Sequence, residues 1–392
     1  MSDPARLGHN PALSPGARPA AARRRSGGAL RWVVAATAAL IAALIGLVTL
    51  LLIGFSTGPV PFLTGLVVAA LPAPVYVLLV LWIDRFESEP GWLLATAFFW
   101  GALVAVGVAL VVNTLGMAAV DAAFGEEAAD LYGLSLSAPL VEEGTKALAL
   151  FVLYFWKRDE FDGVLDGIVY ASMVGLGFAM TENVKYYAEA ALEGRSLGTF
   201  VVRGMFSPYA HPLFTSMTGI GLGLASHAAR RRARVTLPLV GLALAVVLHS
   251  VWNTSLFFSG KLERGLIALV MYFLVMVPVF TGVLMVAFFG LRKEGRILRE
   301  HLAGDVERGT LARAEYERLC SVRRRLGASS GALFGRGFSA WRDRLRLHGV
   351  ASELAFHRHR VARGWTPRDS AAVERETHYL QSLVELRGRL GG

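Results

Sequence analysis

The chain has 392 residues, of which 54% are hydrophobic and only 18% are charged, and its mean hydropathy is +0.48. A soluble domain of this length carries more charge and fewer long apolar runs, so the composition excludes an ordinary soluble protein. The formal net charge of +10 is concentrated in the N-terminal segment, in short loops and after residue 291. This distribution is typical of a membrane protein that follows the positive-inside rule, and it disfavours nucleic-acid binding. Cys320 is the only cysteine, which excludes a disulfide framework and a thiolate metal site.

Residues 1–30 are rich in Ala, Pro, Gly and Arg and show no periodic apolar pattern, which predicts a disordered basic arm. A series of apolar runs follows, each with about the 20 residues that a helix needs to cross a hydrocarbon core of about 30 Å. The predicted spans are roughly 32–54, 60–83, 92–114, 134–156, 164–186, 207–228, 236–258 and 266–291. We therefore predict an all-α fold, a polytopic membrane helix bundle of about eight transmembrane helices that occupies residues 31–291.

Loop charges predict the orientation of this bundle. Lys and Arg residues occur in alternate loops, at 84–90, 157–163 and 227–235, whereas the loop around Asp121–Asp130 carries only acidic charges. Because cytoplasmic loops carry the excess of Lys and Arg, this pattern places both termini in the cytoplasm. The loop between spans five and six does not fit the pattern, since it also contains arginines, one of which is Arg203.

The last part of the chain, residues 292–392, changes to polar and basic residues. It predicts a basic helical tail in the cytoplasm. Within it we predict a helix at 310–326, with Thr310 as its N-cap, followed by a glycine-containing linker at 327–337.

The most unusual residues are Glu142, Glu143 and Lys146, inside the fourth predicted span. A charged side chain near the centre of a membrane helix costs about 2.5–3.5 kcal/mol. The i,i+3 and i,i+4 spacings allow an internal salt bridge with Lys146, but this explains one glutamate and leaves the other. We interpret the cluster as a functional site in which Lys146 has a supporting role.

Four more polar residues lie at a similar depth on three other predicted spans. They are Glu182, His211, His249 and Asn253. Each has an ordinary explanation by itself, such as an interfacial histidine or an amide that joins two helices. Together with the Glu142 cluster they place acid, base and amide groups in the outer half of the membrane, where four helices could form one site.

Such a set of groups fits peptide hydrolysis. A buried glutamate serves as general base, a histidine shuttles protons, and an asparagine amide stabilises the oxyanion. The second possibility is a zinc site made of His211, His249 and Glu182. No HExxH motif is present, so such a site has to be assembled from different helices. Two non-hydrolytic alternatives stay open: a proton- or ion-coupled transporter that uses the same residues, and a membrane scaffold without catalytic activity.

Several short motifs resemble those of the PrsW-type intramembrane proteases, relatives of the CAAX prenyl protease and bacteriocin-processing superfamily. The motifs are EEGTK at 142–146, FAMTEN at 178–183, the histidine His211 and HSVWN at 249–253. The segment DRFESEP at 84–90 also looks like an acidic stretch of that family, although its predicted cytoplasmic position indicates a structural role. The resemblance covers roughly residues 60–290.

The resemblance implies an intramembrane endopeptidase in a bacterial plasma membrane that takes part in regulated proteolysis. Glu142 and Glu143 would activate water, and His211, His249 and Asn253 would complete the site. Glu182 stands where the CAAX-type branch has a histidine, and this difference leaves the division of roles open. The resemblance also leaves open whether the water is activated by a metal or by a glutamate. The implied partners are the lipid bilayer and a membrane-anchored protein such as an anti-sigma factor, cut on its outer side.

Overall fold

The computed structural model describes residues 28–158, 160–161, 163–261 and 265–391, and these residues form helices connected by short loops, with no strand among them. The α-helices are α1 Gly28–Thr57, α2 Pro59–Ala70, α3 Ala73–Ile83, α4 Gly91–Phe99, α5 Val106–Phe124, α6 Glu126–Tyr132, α7 Ala138–Trp156, α8 Val164–Leu192, α9 Ser196–Phe200, α10 Ala210–Ser226, α11 Arg231–Lys261, α12 Leu266–Met271, α13 Val277–Glu307, α14 Arg313–Leu319, α15 Val322–Arg336, α16 Phe338–Ala362 and α17 Ser370–Arg389. Four π-helical segments interrupt them, at Trp100–Ala105, Gly133–Ser137, Val201–Phe206 and Tyr272–Met276.

The chain separates into two compact units, Met1–Ile41 and Ala42–Gly392. The described part of the first unit is the beginning of α1. The predicted disordered arm therefore lies outside the described residues, except for residues 28–30, which are helical.

Within the described ranges, six helical stretches are long and apolar enough to cross a membrane, which confirms a multi-pass helical membrane protein. They are Ala36–Thr57, Pro59–Ile83, Gly91–Phe124, Val164–Leu192, Arg231–Gly260 and Leu266–Glu307. The other two predicted spans correspond to α7, which contains three ionisable residues, and to α10, which has 17 residues. The predicted number of about eight spans thus depends on α7 and α10, both of which carry candidate site residues.

Helix α8 is the most deeply enclosed of the six stretches, with 89% of an 18-residue apolar segment buried inside the protein. Glycines allow α10 to pack directly on its backbone. A Cβ atom added to Gly167 would overlap the carbonyl oxygen of Gly219, and one on Gly175 would lie 2.6 Å from the nitrogen of Pro212. Small residues of this kind permit close helix approach in membranes, and here they bring the polar residues of α8 and α10 together.

The tail packs against the loop that contains DRFESEP. Phe86 is only 2% exposed and belongs to the same apolar cluster as the tail residues Leu298 and Leu347. The guanidinium of Arg325 donates a hydrogen bond to the carbonyl oxygen of Arg85 at 3.2 Å, and Arg360 pairs with Glu87 at 2.6 Å. The loop therefore anchors the tail, in agreement with the structural role expected for it.

Two carboxyl groups of the same loop are buried. Asp84 accepts a hydrogen bond from the backbone of Glu89 at 2.9 Å, and the Glu89 side chain is hydrogen-bonded to the hydroxyl of Tyr170. Burial raises the pKa of Glu89 to about 11 and that of Asp84 to about 8. Glu89 is thus a neutral acid at pH 7, which is the form that a buried position favours.

Three local predictions for the tail are wrong. The helix predicted at 310–326 is divided into α14 and α15 by a break at 320–321, and the N-cap of α14 is Ala312, not Thr310. Residues 327–336, predicted as a linker, are the last two thirds of α15. Ser329 and Ala332 are both 8% exposed on the buried side of this helix. Tertiary packing thus outweighs the cost of its glycines, about 1 kcal/mol each.

Candidate active site

The residues predicted to form a site meet around one small cavity inside the bundle. Its volume is about 90 Å³, and its walls include Glu142 of α7, Glu182 of α8, His211 of α10, and His249 and Asn253 of α11. Glu143 and Lys146 contact this group from α7, and both are essentially inaccessible to solvent. The structure thus brings together all seven of the predicted residues.

The cavity lies far from the tail. We define the tail face as the end of the bundle where the 84–90 loop, Gly163 and His227 meet the tail. At 1.5 Å per residue, Glu142 lies about 21 Å along α7 from the tail face and His211 about 22 Å along α10. Glu182 and His249 lie about 27 Å from the same face along α8 and α11. All four helices therefore carry their polar residues in the half of the bundle opposite the tail.

Lys146 is the centre of the polar network. Its ammonium lies 2.9 Å from Glu143 Oε1, 3.4 Å from Glu142 Oε2 and 3.1 Å from His211 Nδ1. The same nitrogen lies 3.6 Å from the centre of the Phe178 ring. The predicted salt bridge thus exists with both glutamates at once, and it is completed by a histidine and an aromatic face.

These contacts indicate which ring nitrogen of each histidine donates to a carboxylate. An ammonium group only donates, so Nδ1 of His211 accepts from Lys146 and its Nε2–H donates to Glu182 at 3.0 Å. A carboxylate only accepts, so Nδ1–H of His249 donates to Glu143 at 3.2 Å. The other ring nitrogen of His249, Nε2, lies 3.9 Å from Oε2 of Glu142.

The two neighbouring glutamates have different surroundings. Both oxygens of Glu143 are engaged: Oε1 by Lys146 and His249, and Oε2 by the hydroxyl of Thr215 at 2.9 Å. Glu143 is 1% exposed, whereas Glu142 is 6% exposed and lines the cavity. A molecule in the cavity would therefore meet the carboxylate of Glu142.

Arg203 is a site residue that the sequence analysis did not identify. It belongs to the π-helical segment Val201–Phe206, lines the cavity, forms an ion pair with Glu182 and donates to the Asn183 side chain at 2.7 Å. Its guanidinium also lies 3.6 Å from the centre of the Tyr186 ring. The sequence contained a signal for it, because Arg203 is one of the cations that did not fit the loop-charge pattern. This arginine pairs with the partly buried carboxylate of Glu182, so its charge does not report on loop orientation.

Thr215 is a second residue that was missed. It lies one helical turn after His211 on α10, and its side chain is fully buried against Glu143. A hydroxyl on the same helix face as a candidate histidine was the available signal.

Three of these residues could hold a metal ion. One ligand atom each from Glu142, His211 and His249 lies within 4.8 Å of the other two, and all three residues are buried. The predicted set contained Glu182 in place of Glu142. In the structure Glu182 instead pairs with Arg203 and with His211 Nε2.

Comparison with known proteins places these residues in a family context. The family model described as "PrsW family intramembrane metalloprotease" matches residues 89–283, a range that contains every predicted site residue. The proteins named protease PrsW from Geobacillus kaustophilus, Oceanobacillus iheyensis and Clostridioides difficile are similar to the chain. Their identities are 33% over 151 residues, 30% over 167 residues and 28% over 194 residues.

The matched regions cover 38%, 42% and 49% of this chain. They cover 61% of the length of the Geobacillus relative, 71% of that from Oceanobacillus and 78% of that from Clostridioides. No solved structure matches the chain significantly. The matched range begins in the loop that anchors the tail and ends in α13, so it coincides closely with the part of the bundle that forms the cavity.

Proposed function

The chain belongs to the PrsW family of intramembrane metalloproteases, and we propose that it hydrolyses a peptide bond of a membrane-anchored protein at the cavity between α7, α8, α10 and α11. The observation that carries this proposal is the convergence of Glu142, His211 and His249 on one buried cavity. Because the relatives are named proteases, hydrolysis is favoured over the transporter alternative.

We assign the activation of water to Glu142. It is the glutamate of the pair that lines the cavity, and its Oε2 is 3.9 Å from His249 Nε2. Glu142 can therefore take a proton from water, and this proton can pass to the leaving amine. His249 is the neighbouring base that can assist the transfer. Glu143 has a positioning role, since it holds Nδ1–H of His249 and the ammonium of Lys146.

Two donors on the cavity wall can stabilise the developing oxyanion. Asn253 lies one turn after His249 on α11, and Arg203 reaches the wall from the segment between α9 and α10. Donors held in place in a site from which water is largely excluded stabilise such a charge strongly. Glu182 fixes both Arg203 and His211 by accepting from each of them.

The residues present also fit a zinc ion held by Glu142, His211 and His249, one carboxylate and two imidazoles, which is a common catalytic set. Each histidine has its other ring nitrogen on a carboxylate, His211 on Glu182 and His249 on Glu143, as metal-bound histidines usually do. A bound zinc ion would supply a water molecule with a pKa of about 7. Lys146 contacts two of the three residues. An ammonium and a metal ion need the same lone pairs, so Lys146 would compete with the metal.

For the substrate we propose a membrane-anchored protein, such as an anti-sigma factor, in a bacterial plasma membrane. We propose a cytoplasmic tail face, because the arginines of the 227–235 loop lie there and cytoplasmic loops carry the excess of positive charge. The cavity then lies in the outer half of the membrane, and cleavage takes place on that side.

The test is co-reconstitution of the purified protein with a single-span substrate, with and without a chelator. We expect Glu142→Gln and His249→Ala to abolish cleavage while the protein stays folded in detergent. Glu126→Gln is the matched control, because it removes the same charge from an exposed position on the neighbouring helix α6. Full activity of Glu142→Gln would refute the assigned role, and full activity after complete metal removal would refute the metal site but leave the glutamate route.

A further inference from the structure

A second cavity opens at the tail face, away from the candidate active site. Its volume is about 440 Å³, and it lies between α8, α10, α13 and α16. One end is apolar and includes Leu224, Val286 and Phe289, which are 46%, 37% and 62% exposed. Exposed apolar residues on helices of the bundle face the hydrocarbon chains of the bilayer, so this end of the cavity opens towards lipid.

The other end of the same cavity is cationic. Lys293 and Arg296 lie on α13 where its apolar stretch ends, and both side chains are exposed. Three carboxyl groups also line the cavity, but Glu87 pairs with Arg360 at 2.6 Å and Asp166 accepts from the backbone of Gly163 at 2.6 Å. The third, Glu294, is 8% exposed and interacts electrostatically with Arg325. Two of the three carboxyl groups are therefore buried and the remaining one is paired with Arg360, so the exposed charge at the mouth is positive.

The cavity wall also carries features of a membrane–water interface. Trp365 stacks on His227 with ring centres 5.3 Å apart, and it is 49% exposed. Burial, and after it the charges of Lys293 and Arg363, lowers the pKa of His227. The positive charge at the mouth therefore belongs mainly to Lys293 and Arg296. Trp is enriched at the depth of lipid headgroups.

We propose that this cavity is a binding site for an anionic phospholipid, with its phosphate at Lys293 and Arg296 and an acyl chain along Leu224 and Phe289. A basic pocket between membrane helices on the cytoplasmic side is the usual form of an anionic-lipid site. A free phosphate ion needs only the cationic end, so the apolar end selects the lipid. The bound lipid would contact α10, which carries His211 and Thr215, and the tail, which carries Trp365.

The test uses the full chain in phosphatidylcholine nanodiscs with and without phosphatidylglycerol, together with native mass spectrometry of the lipid that the purified protein retains. We expect the wild type to retain phosphatidylglycerol and to unfold at a higher temperature in discs that contain it. The double variant Lys293→Gln/Arg296→Gln should bind that lipid roughly thirtyfold more weakly, since each cation contributes about one kcal/mol near an anionic surface.

The matched control is Arg231→Gln/Arg232→Gln. These arginines are exposed near the same face but do not line the cavity. If the control loses as much bound lipid as Lys293→Gln/Arg296→Gln, the attraction belongs to the whole face, and the site is refuted. Equal retention by the wild type and the Lys293→Gln/Arg296→Gln variant also refutes it. If inorganic phosphate stabilises the protein in phosphatidylcholine discs as much as phosphatidylglycerol does, the ligand is a free anion and the lipid assignment is wrong.

Discussion

Replacement of Lys146 by methionine tests the ion network at the centre of the site. Lys146 is fully buried, and its ammonium contacts Glu143 at 2.9 Å and Glu142 at 3.4 Å. The variant keeps the volume of the side chain and leaves two carboxylates without their cation. Removing one partner of a buried ion pair costs about 3–5 kcal/mol, because the remaining charge is uncompensated. Each kcal/mol of lost stability lowers the midpoint of thermal unfolding by about 2–4 °C, so the midpoint should fall by roughly 6–20 °C.

The assay is thermal unfolding in detergent, followed by tryptophan fluorescence. Lys185→Met is the matched control, since Lys185 is 47% exposed and its pairing with Glu189 at 3.8 Å is worth less than about 1 kcal/mol. The double variant Lys146→Met/Glu143→Gln should recover much of the lost stability, because it removes the pair and not one partner. A Lys146→Met midpoint equal to that of Lys185→Met, or a double variant no more stable than Lys146→Met alone, would refute the proposed network.

Two further predictions concern Arg203 and Glu89. Arg203→Gln leaves Glu182 without its ion pair. Since a charged hydrogen bond contributes about 1.5–3 kcal/mol, kcat/KM for cleavage should fall roughly 10- to 150-fold. An unchanged kcat/KM would contradict the role of Arg203. Glu89 has a raised pKa, so its contribution to stability is largest at low pH and decreases as the pH rises towards about 11. The thermal unfolding midpoint of the wild type should therefore decrease as the pH rises from about 5 to about 9. Glu89→Gln should make this decrease smaller. An identical pH dependence in both proteins would exclude Glu89 as its source.

The sequence by itself determined the class of the fold and the location of the candidate site along the chain. Long apolar runs specify membrane helices because each helix satisfies its own backbone hydrogen bonds, so the signal is local. The charged residues Glu142, Glu143 and Lys146 could be identified for the same reason, since their cost in a membrane does not depend on which helices pack together. A common depth in the membrane could also be read from helix length. The matches to the family model and to the relatives confirm the resemblance to the PrsW-type proteases.

Only the tertiary structure decided which groups are partners. The sequence spacing allows Lys146 to reach either glutamate, but the choice of Glu142 as the carboxylate on the cavity follows from Thr215 and His249, which engage Glu143. Arg203 enters the site from a segment outside the predicted spans. These contacts join residues that are far apart in the chain. They exist because backbone contacts such as that between Gly175 and Pro212 fix how closely α8 and α10 approach, and no local pattern in the sequence specifies that distance.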